Sequence, residues 1–249
     1  MSTKSPALVM LRRDFKHVTR NPTSIFNAVL MPVVMMFMFV YVIGDAFSVG
    51  VDYVDYATPG LMLLAVCYGL GGTAVAVNSD MTKGIINRFK AMDVPRDAVL
   101  IGKVVASVLT NAIAIAALLG VAFLLGFSPA AGFVDWLGVI GLLLLLAVAT
   151  AWLTVALGLA AKSPETAAFA AVPLIMLPFF SSAIVPADKM GPGIKQFAQY
   201  QPFTPIIETL RGLLNGTPQT SDALVALAWC VGIALVGYLW ASSTFKKRA

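Results

Sequence analysis

The residues whose types and spacing suggest an action on another molecule lie in one charged stretch, 80–97, between two long apolar segments. A short amphipathic helix here could lie on a lipid surface or dock into a soluble partner, and we favour docking. Its apolar side chains recur at the spacing of one helix face: Met81, Ile85, Ile86, Phe89 and Met92. The basic side chains beside and just beyond them are Lys83, Arg88, Lys90, Arg96 and Lys103.

The motifs of common enzyme active sites are absent from the sequence. It contains no phosphate-binding GxxxxGK(S/T) loop, no HExxH motif and no GxSxG motif. The single histidine, His17, and the two cysteines, Cys67 and Cys230, are too few for the usual nucleophile-and-base sets. We therefore expect no enzymatic activity, and no cofactor, metal ion or nucleic acid bound by this chain.

The composition is that of an integral membrane protein. Hydrophobic residues make up 59% and charged residues only 12%, whereas soluble domains carry about 25% charged residues. Six stretches without charge are each long enough for a spanning helix, which needs about 20 residues. We expect an all-α fold with one transmembrane domain over residues 1–249. Its predicted spans are 22–43, 57–79, 98–126, 134–161, 166–185 and 222–245.

The distribution of basic residues gives the orientation. Most of the 17 basic residues fall on one side of this topology, and the other side holds only Lys189, Lys195 and Arg211. Because cytoplasmic loops are enriched in Lys and Arg, we expect both termini in the cytoplasm and residues 80–97 as a cytoplasmic loop.

The segment before the first span, residues 4–20, predicts an interfacial helix. Its apolar residues step 3, 4, 3 along a helix, with basic residues on the other side. This pattern is typical of a helix that lies along the cytoplasmic leaflet of the bilayer. The residues that we assign to it are Leu11, Arg12, Arg13, Phe15 and Lys16.

The segment before the last span, 186–218, is too polar to span and too apolar for a free loop. It predicts two short helices separated by residues 201–205, with Gly216 ending the second. Short helices at membrane depth are tolerated where they are buried in protein, so we expect a re-entrant outer hairpin. Glu208 and Arg211, spaced i, i+3, can pair on one face.

The interiors of the predicted spans carry amides and hydroxyls rather than charges, for example Asn78, Asn111 and Thr154. Ion-coupled carriers place ionisable residues there. If this chain moves a solute uphill, the energy must therefore come from a partner, through the helix at 81–92. Ala112, Ala116 and Gly120 form a small-residue face that could pack within the chain or against another subunit.

Several stretches resemble the permease subunit of type-2 ABC exporters, above all the daunorubicin-resistance-type drug-export permeases. The resemblance covers nearly the whole chain. MTKGIINRF after the second span and PFTPIIETLRGLLNG before the last are its specific parts. Further matching stretches are AKSPETAA and FFSSAIVPADKMGP.

The resemblance implies a six-span subunit that pairs with a second permease, expected as a homodimer, and binds two copies of an ABC ATP-binding subunit that hold ATP and Mg. Residues 80–92 would be the coupling helix in a groove of that subunit, which the N-terminal helix would also touch. The hairpin would lie at the outer mouth of the pathway. The coupling residues are then Met81, Gly84, Ile85, Ile86, Arg88 and Phe89. The hairpin or gate residues are Pro202, Phe203, Pro205, Glu208 and Arg211.

Taken together, we expect a permease in the plasma membrane of a bacterium or archaeon. It would move an amphipathic drug-like or lipid-like substrate out of the cytoplasm or inner leaflet by alternating access. Export of a polysaccharide or lipid-linked glycan is the alternative within the class. A channel for such a substrate should be lined with aromatic residues, whereas here they are scattered among the spans. A membrane interaction or immunity protein without transport activity is the alternative from another class.

Overall fold

The computed structural model describes residues 22–44, 52–82 and 96–248. Within these ranges the chain forms α-helices, short 3-10 and π segments, and no strand. The N-terminal helix predicted over 4–20, with its residues Leu11 to Lys16, lies outside the described part. The helices are α1 Pro22–Met38, α2 Tyr53–Thr82, α3 Arg96–Leu124, α4 Phe133–Ala160, α5 Pro164–Met176, α6 Ile194–Tyr200, α7 Phe203–Leu214 and α8 Thr220–Arg248.

Four helices of the described ranges are long and apolar enough to cross a membrane, in agreement with a helical membrane protein. They are Tyr53–Thr82, Val99–Leu124, Phe133–Ala160 and Thr220–Lys247. Two further apolar helices, Val29–Val42 and Pro164–Phe180, are shorter than this criterion. The count of six spans therefore stays a prediction. Following the predicted orientation, we call the end of the bundle near Tyr53 and Arg211 the outer end, and the end near Thr82 and Arg96 the inner end.

The two shorter apolar helices are both irregular at their outer ends. α1 passes into a π-helical turn over Phe39–Ile43, and α5 passes into a 3-10 turn over Leu177–Phe180. α5 contains Pro173, and Pro178 follows inside the 3-10 turn. Proline removes a backbone donor and its ring crowds the preceding turn, which explains the irregular end of α5.

α2 lies at the centre of the bundle and packs against α1, α3, α4, α5 and α7. Residues 56–67, in its outer half, are all buried. Glycines let the backbones of neighbouring segments approach one another closely. A Cβ on Gly158 of α4 would lie 2.6 Å from the carbonyl oxygen of Ala74, and one on Gly60 would overlap Ala183.

The small-residue face of α3 does not pack in this way. Ala112, Ala116 and Gly120 are exposed within the described part of the chain, and a Cβ on Gly120 would meet nothing within 4 Å. Packing inside the chain thus accounts for Gly60 of α2 and Gly158 of α4, but among the described residues it does not account for this face.

Candidate functional site

The central charged stretch is described only at its two ends. α2 continues through Asp80 and Met81 to Thr82, and α3 begins at Arg96. Of the predicted coupling residues, Met81 thus lies in the last turn of α2, where it packs on the inner core beside Leu100 and Phe245. The other predicted coupling residues lie outside the described part: Gly84, Ile85, Ile86, Arg88 and Phe89.

The outer hairpin consists of two short helices, as predicted, although the second begins earlier than expected. Pro202 precedes α7 and Pro205 lies in its first turn, where a missing backbone N–H breaks no helical hydrogen bond. After α7, Gly216 adopts a φ of 69°. The N–H of Thr217 donates to the carbonyl of Gly212 at 2.8 Å, which is the closing bond of a glycine-terminated helix end.

α7 is anchored by one apolar face that contacts α2, α4 and α8. The predicted gate residue Phe203 belongs to this face and is 2% exposed. It therefore packs in the core rather than lining an opening. The other members of the face, all buried, are Ile206, Ile207, Leu210 and Leu214.

Arg211 is the centre of a polar cluster that joins the hairpin to the rest of the outer end. Its Nη1 pairs with Oε1 of Glu208 at 2.5 Å, which confirms the predicted i, i+3 pair. Its Nη2 donates to the carbonyl oxygens of Ser182 at 2.9 Å and Tyr56 at 3.3 Å. The guanidinium carbon lies 3.9 Å from the centroid of the Tyr56 ring, within the range of a cation–π contact. One side chain thus contacts α7, α2 and the segment after α5.

Side chains of α2 and of the hairpin donate hydrogen bonds to backbone carbonyls of that segment, residues 180–184. The Tyr56 hydroxyl donates to Ser182 O at 3.0 Å, and the Tyr53 hydroxyl donates to Ile184 O at 3.2 Å. From the hairpin, Gln201 Nε2 donates to Phe180 O at 2.6 Å. Buried carbonyls outside regular helix need such partners, so these bonds hold an irregular segment in a single position.

Sequence reasoning missed Tyr53, Tyr56 and Gln201 in this cluster. The two tyrosines are spaced i, i+3 at the start of a span, and this spacing was a usable signal for a shared face. The cluster also contains buried polar atoms that have no hydrogen-bond partner among the described residues: Ser182 Oγ, Gln201 Oε1, Thr204 Oγ1 and Arg211 Nε. It therefore has unused hydrogen-bonding capacity beside a charged pair.

An apolar groove of about 520 Å³ lies between the end of α5 and the start of α6. Its two aromatic rings, Phe180 and Phe197, meet edge to face with centroids 6.4 Å apart. Both are about half exposed, so the groove opens to the surroundings of the chain. The remaining lining residues are Pro173, Met176, Leu177, Gly193 and Ile194. These walls suit an apolar or aromatic molecule.

Comparison with known proteins agrees with this architecture. The ABC-2 type transporter family matches residues 7–215. The chain is 31% identical to the daunorubicin resistance ABC transporter permease protein DrrB1 of Streptomyces coeruleorubidus over 227 residues, covering 89% of this chain and 77% of the relative. It is 26% identical to the probable doxorubicin resistance ABC transporter permease protein DrrC of Mycobacterium tuberculosis strain CDC 1551 over 234 residues, covering 92% of this chain and 84% of the relative. The chain belongs to the ABC-2 type transporter family, as a permease subunit.

Proposed function

We propose that this permease exports an amphipathic drug-like or lipid-like substrate by alternating access, driven by two copies of a separate ATP-binding subunit. The similarity to permeases named for daunorubicin and doxorubicin resistance carries the proposal. The groove at Phe180 and Phe197 supports it, because its lining is apolar and aromatic. The chain would act as one of two identical permeases in the plasma membrane of a bacterium or archaeon, with both termini in the cytoplasm.

The ATP-binding subunit would seat the segment after α2 and hold ATP and Mg itself. The family supports such a partner. Within the segment, Ile85, Ile86 and Phe89 would supply the apolar contacts and Arg88 a charged one. Met81 and Gly84 would complete this contact. The N-terminal helix would lie on the membrane beside it.

The outer hairpin would act as the gate. Arg211 fastens α7 to the segment after α5 through Ser182 O. The oxygens Ser182 Oγ, Gln201 Oε1 and Thr204 Oγ1, which have no hydrogen-bond partner among the described residues, offer bonds for a second arrangement. Opening would exchange the Arg211 bonds to backbone for bonds to those atoms or to water. Pro202 and Pro205 restrict the backbone at the start of α7, so that α7 would move as a unit.

The first test is purification of the tagged chain from its host membranes, followed by reconstitution of the purified complex. We expect an ATP-binding subunit to co-purify in equal amount, and ATP to drive doxorubicin across the vesicle membrane. A chain that purifies alone, or a complex that hydrolyses ATP without moving doxorubicin or a fluorescent phospholipid, would contradict the proposal.

Substitution of two phenylalanines in the apolar helix Pro164–Phe180 tests whether the substrate binds in the groove. Phe180→Ala should raise the doxorubicin concentration needed for half-maximal transport by roughly fivefold or more, since a buried aromatic contact contributes on the order of 1 kcal/mol or more. Phe169→Ala is the matched control, because Phe169 is 76% exposed and lies outside the groove. Equal effects of the two substitutions would exclude the groove as the binding site.

A further inference from the structure

The two helices that enter and leave the central charged stretch are joined by an ion pair. Asp80 Oδ2 of α2 lies 2.5 Å from Lys103 Nζ of α3. The two side chains are 20% and 16% exposed. Lys103 follows the start of α3 at Arg96 by seven residues, which places it about 10 Å along the helix from its inner end. The pair thus lies inside the inner end of the bundle.

Two further contacts join α2 and α3 beyond the ion pair, one hydrogen bond and one close packing contact. The Thr73 hydroxyl donates to the Ser107 hydroxyl at 3.1 Å. One turn further, the side chain of Asn111 packs directly on Gly69, where a Cβ would overlap Asn111 Oδ1. The steps are seven and four residues on α2, and four and four on α3. Steps of four and seven residues return to the same face of a helix, so these contacts lie along one face of α2 and one face of α3.

Asn78 fastens the same end of α2 to α4. Its Nδ2 donates to the carbonyl oxygens of Gly158 at 3.1 Å and Ala161 at 2.8 Å. The last carbonyls of a helix have no partner within that helix, so this amide bonds to carbonyls that the end of α4 leaves available. The last turns of α2 are therefore attached to α3 on one side and to α4 on the other.

From these contacts we propose that Asp80, Lys103 and Asn78 form a transmission clamp. The clamp makes the inner ends of α2, α3 and α4 move as one body when the ATP-binding subunit displaces residues 83–95. It rests on the proposed function, because it assigns the route by which that displacement reaches the spans. Asp80, Lys103 and Asn78 are positioning residues that touch neither nucleotide nor substrate.

The ion pair suits this role better than a purely stabilising one. An ion pair that is mostly buried contributes little net stability compared with packed apolar residues. The direction and short range of the ion pair fix the position of α2 relative to α3. We therefore expect substitutions here to change the ratio of transport to ATP hydrolysis more than they change the amount of folded complex.

The test measures ATP hydrolysis and substrate transport in the same reconstituted vesicles. Asp80→Asn and Lys103→Met should each lower the number of substrate molecules moved per ATP by roughly fivefold or more, the usual size of coupling between sites. The swapped pair Asp80→Lys with Lys103→Asp should restore the ratio to within about twofold of wild type. Lys246→Gln is the matched control, because Lys246 is an exposed base at the inner end of α8; its ratio should not change.

A covalent substitute for the ion pair covers the case in which the swapped charges do not fold. Cys67→Ala and Cys230→Ala are combined with Asp80→Cys and Lys103→Cys. This variant should be uncoupled until a short bifunctional thiol reagent joins the two cysteines, and coupled afterwards. Normal ratios in Asp80→Asn and Lys103→Met, or uncoupling that persists in both the swapped and the joined variants, would overturn the clamp. If wild-type complex itself transports nothing, the proposed function fails instead.

Discussion

Replacing Arg211 with Lys should loosen the outer end of the bundle while keeping its charge. Lysine can still pair with Glu208, but a single ammonium cannot also reproduce the fork that reaches the carbonyls of Ser182 and Tyr56. Its contact with the Tyr56 ring at 3.9 Å also loses the flat guanidinium. The substitution therefore removes two hydrogen bonds of a charged donor and one stacking contact.

The expected loss follows from these contacts. Hydrogen bonds to charged groups contribute about 1.5–3 kcal/mol each. Ser182 O keeps the bond from the Tyr56 hydroxyl, so no carbonyl of that segment is left empty and the loss falls at the low end for both bonds, about 3 kcal/mol in total. For a chain of this size, that corresponds to a fall of about 6–12 °C in the unfolding temperature. Arg211→Met, which also removes the partner of Glu208, should cost about 1 kcal/mol more.

The protein carries its own reporters for this measurement. Cys67 and Cys230 are free and buried, so a dye that becomes fluorescent on reaction with thiols reports unfolding in detergent. Glu208→Gln is the graded control, because it keeps the Arg211 bonds to both carbonyls and should cost only about 1 kcal/mol. An Arg211→Lys unfolding temperature within about 1 °C of wild type would refute the claim that this guanidinium holds the outer end together.

Two further predictions concern close packing and a helix cap. Gly60→Ala should destabilise the protein by about 1–3 kcal/mol, because the added Cβ would overlap Ala183; Gly72→Ala on the same helix, with nothing within 4 Å of its Cβ, should show no such loss in the thiol-dye assay. Ser163→Ala should cost about 1 kcal/mol, because the Ser163 hydroxyl accepts from the N–H of Thr166 at the start of α5. The Ser163 hydroxyl, and secondarily the backbone, also lower the pKa of Glu165. The stabilisation of the Glu165 carboxylate is therefore complete above the ordinary pKa of a glutamate, and it is lost as the pH falls through the lowered pKa of Glu165. The difference in unfolding temperature between Ser163→Ala and wild type should therefore be larger at about pH 7 than at about pH 3, and a difference that is larger at the acidic pH would contradict this assignment.

The outer hairpin shows which part of a site can be predicted from local sequence. The pairing of Glu208 with Arg211 and the end of α7 at Gly216 follow from spacing and residue type within one helix. The bonds from Arg211 to Tyr56 and Ser182 join residues 155 and 29 positions apart. Their acceptors are backbone carbonyls, which every residue carries, so no side-chain pattern marks them in advance.

The inner end shows that a charged residue need not end a helix. The predicted second span, 57–79, stops before Asp80, and α2 continues through Asp80 to Thr82. Asp80 is tolerated inside the helix because Lys103 of α3 lies beside it. A single charged residue predicts a boundary only when it has no partner on a neighbouring helix, and the sequence contains no mark of which helices are neighbours.

α2 connects the two attachment points that this structure reveals. Its 30 residues extend about 45 Å, from the tyrosines that cap the segment after α5 to Asp80 at the α3 contact. Both ends are fixed by polar bonds, whereas its middle carries Gly69, Gly71 and Gly72, of which Gly72 has open space around it among the described residues. Glycine weakens a helix by about 1 kcal/mol relative to alanine, so α2 can bend in its middle. A displacement at the inner end therefore reaches the Arg211 cluster in full only if α2 stays straight, and bending at these glycines would separate the inner movement from the outer one.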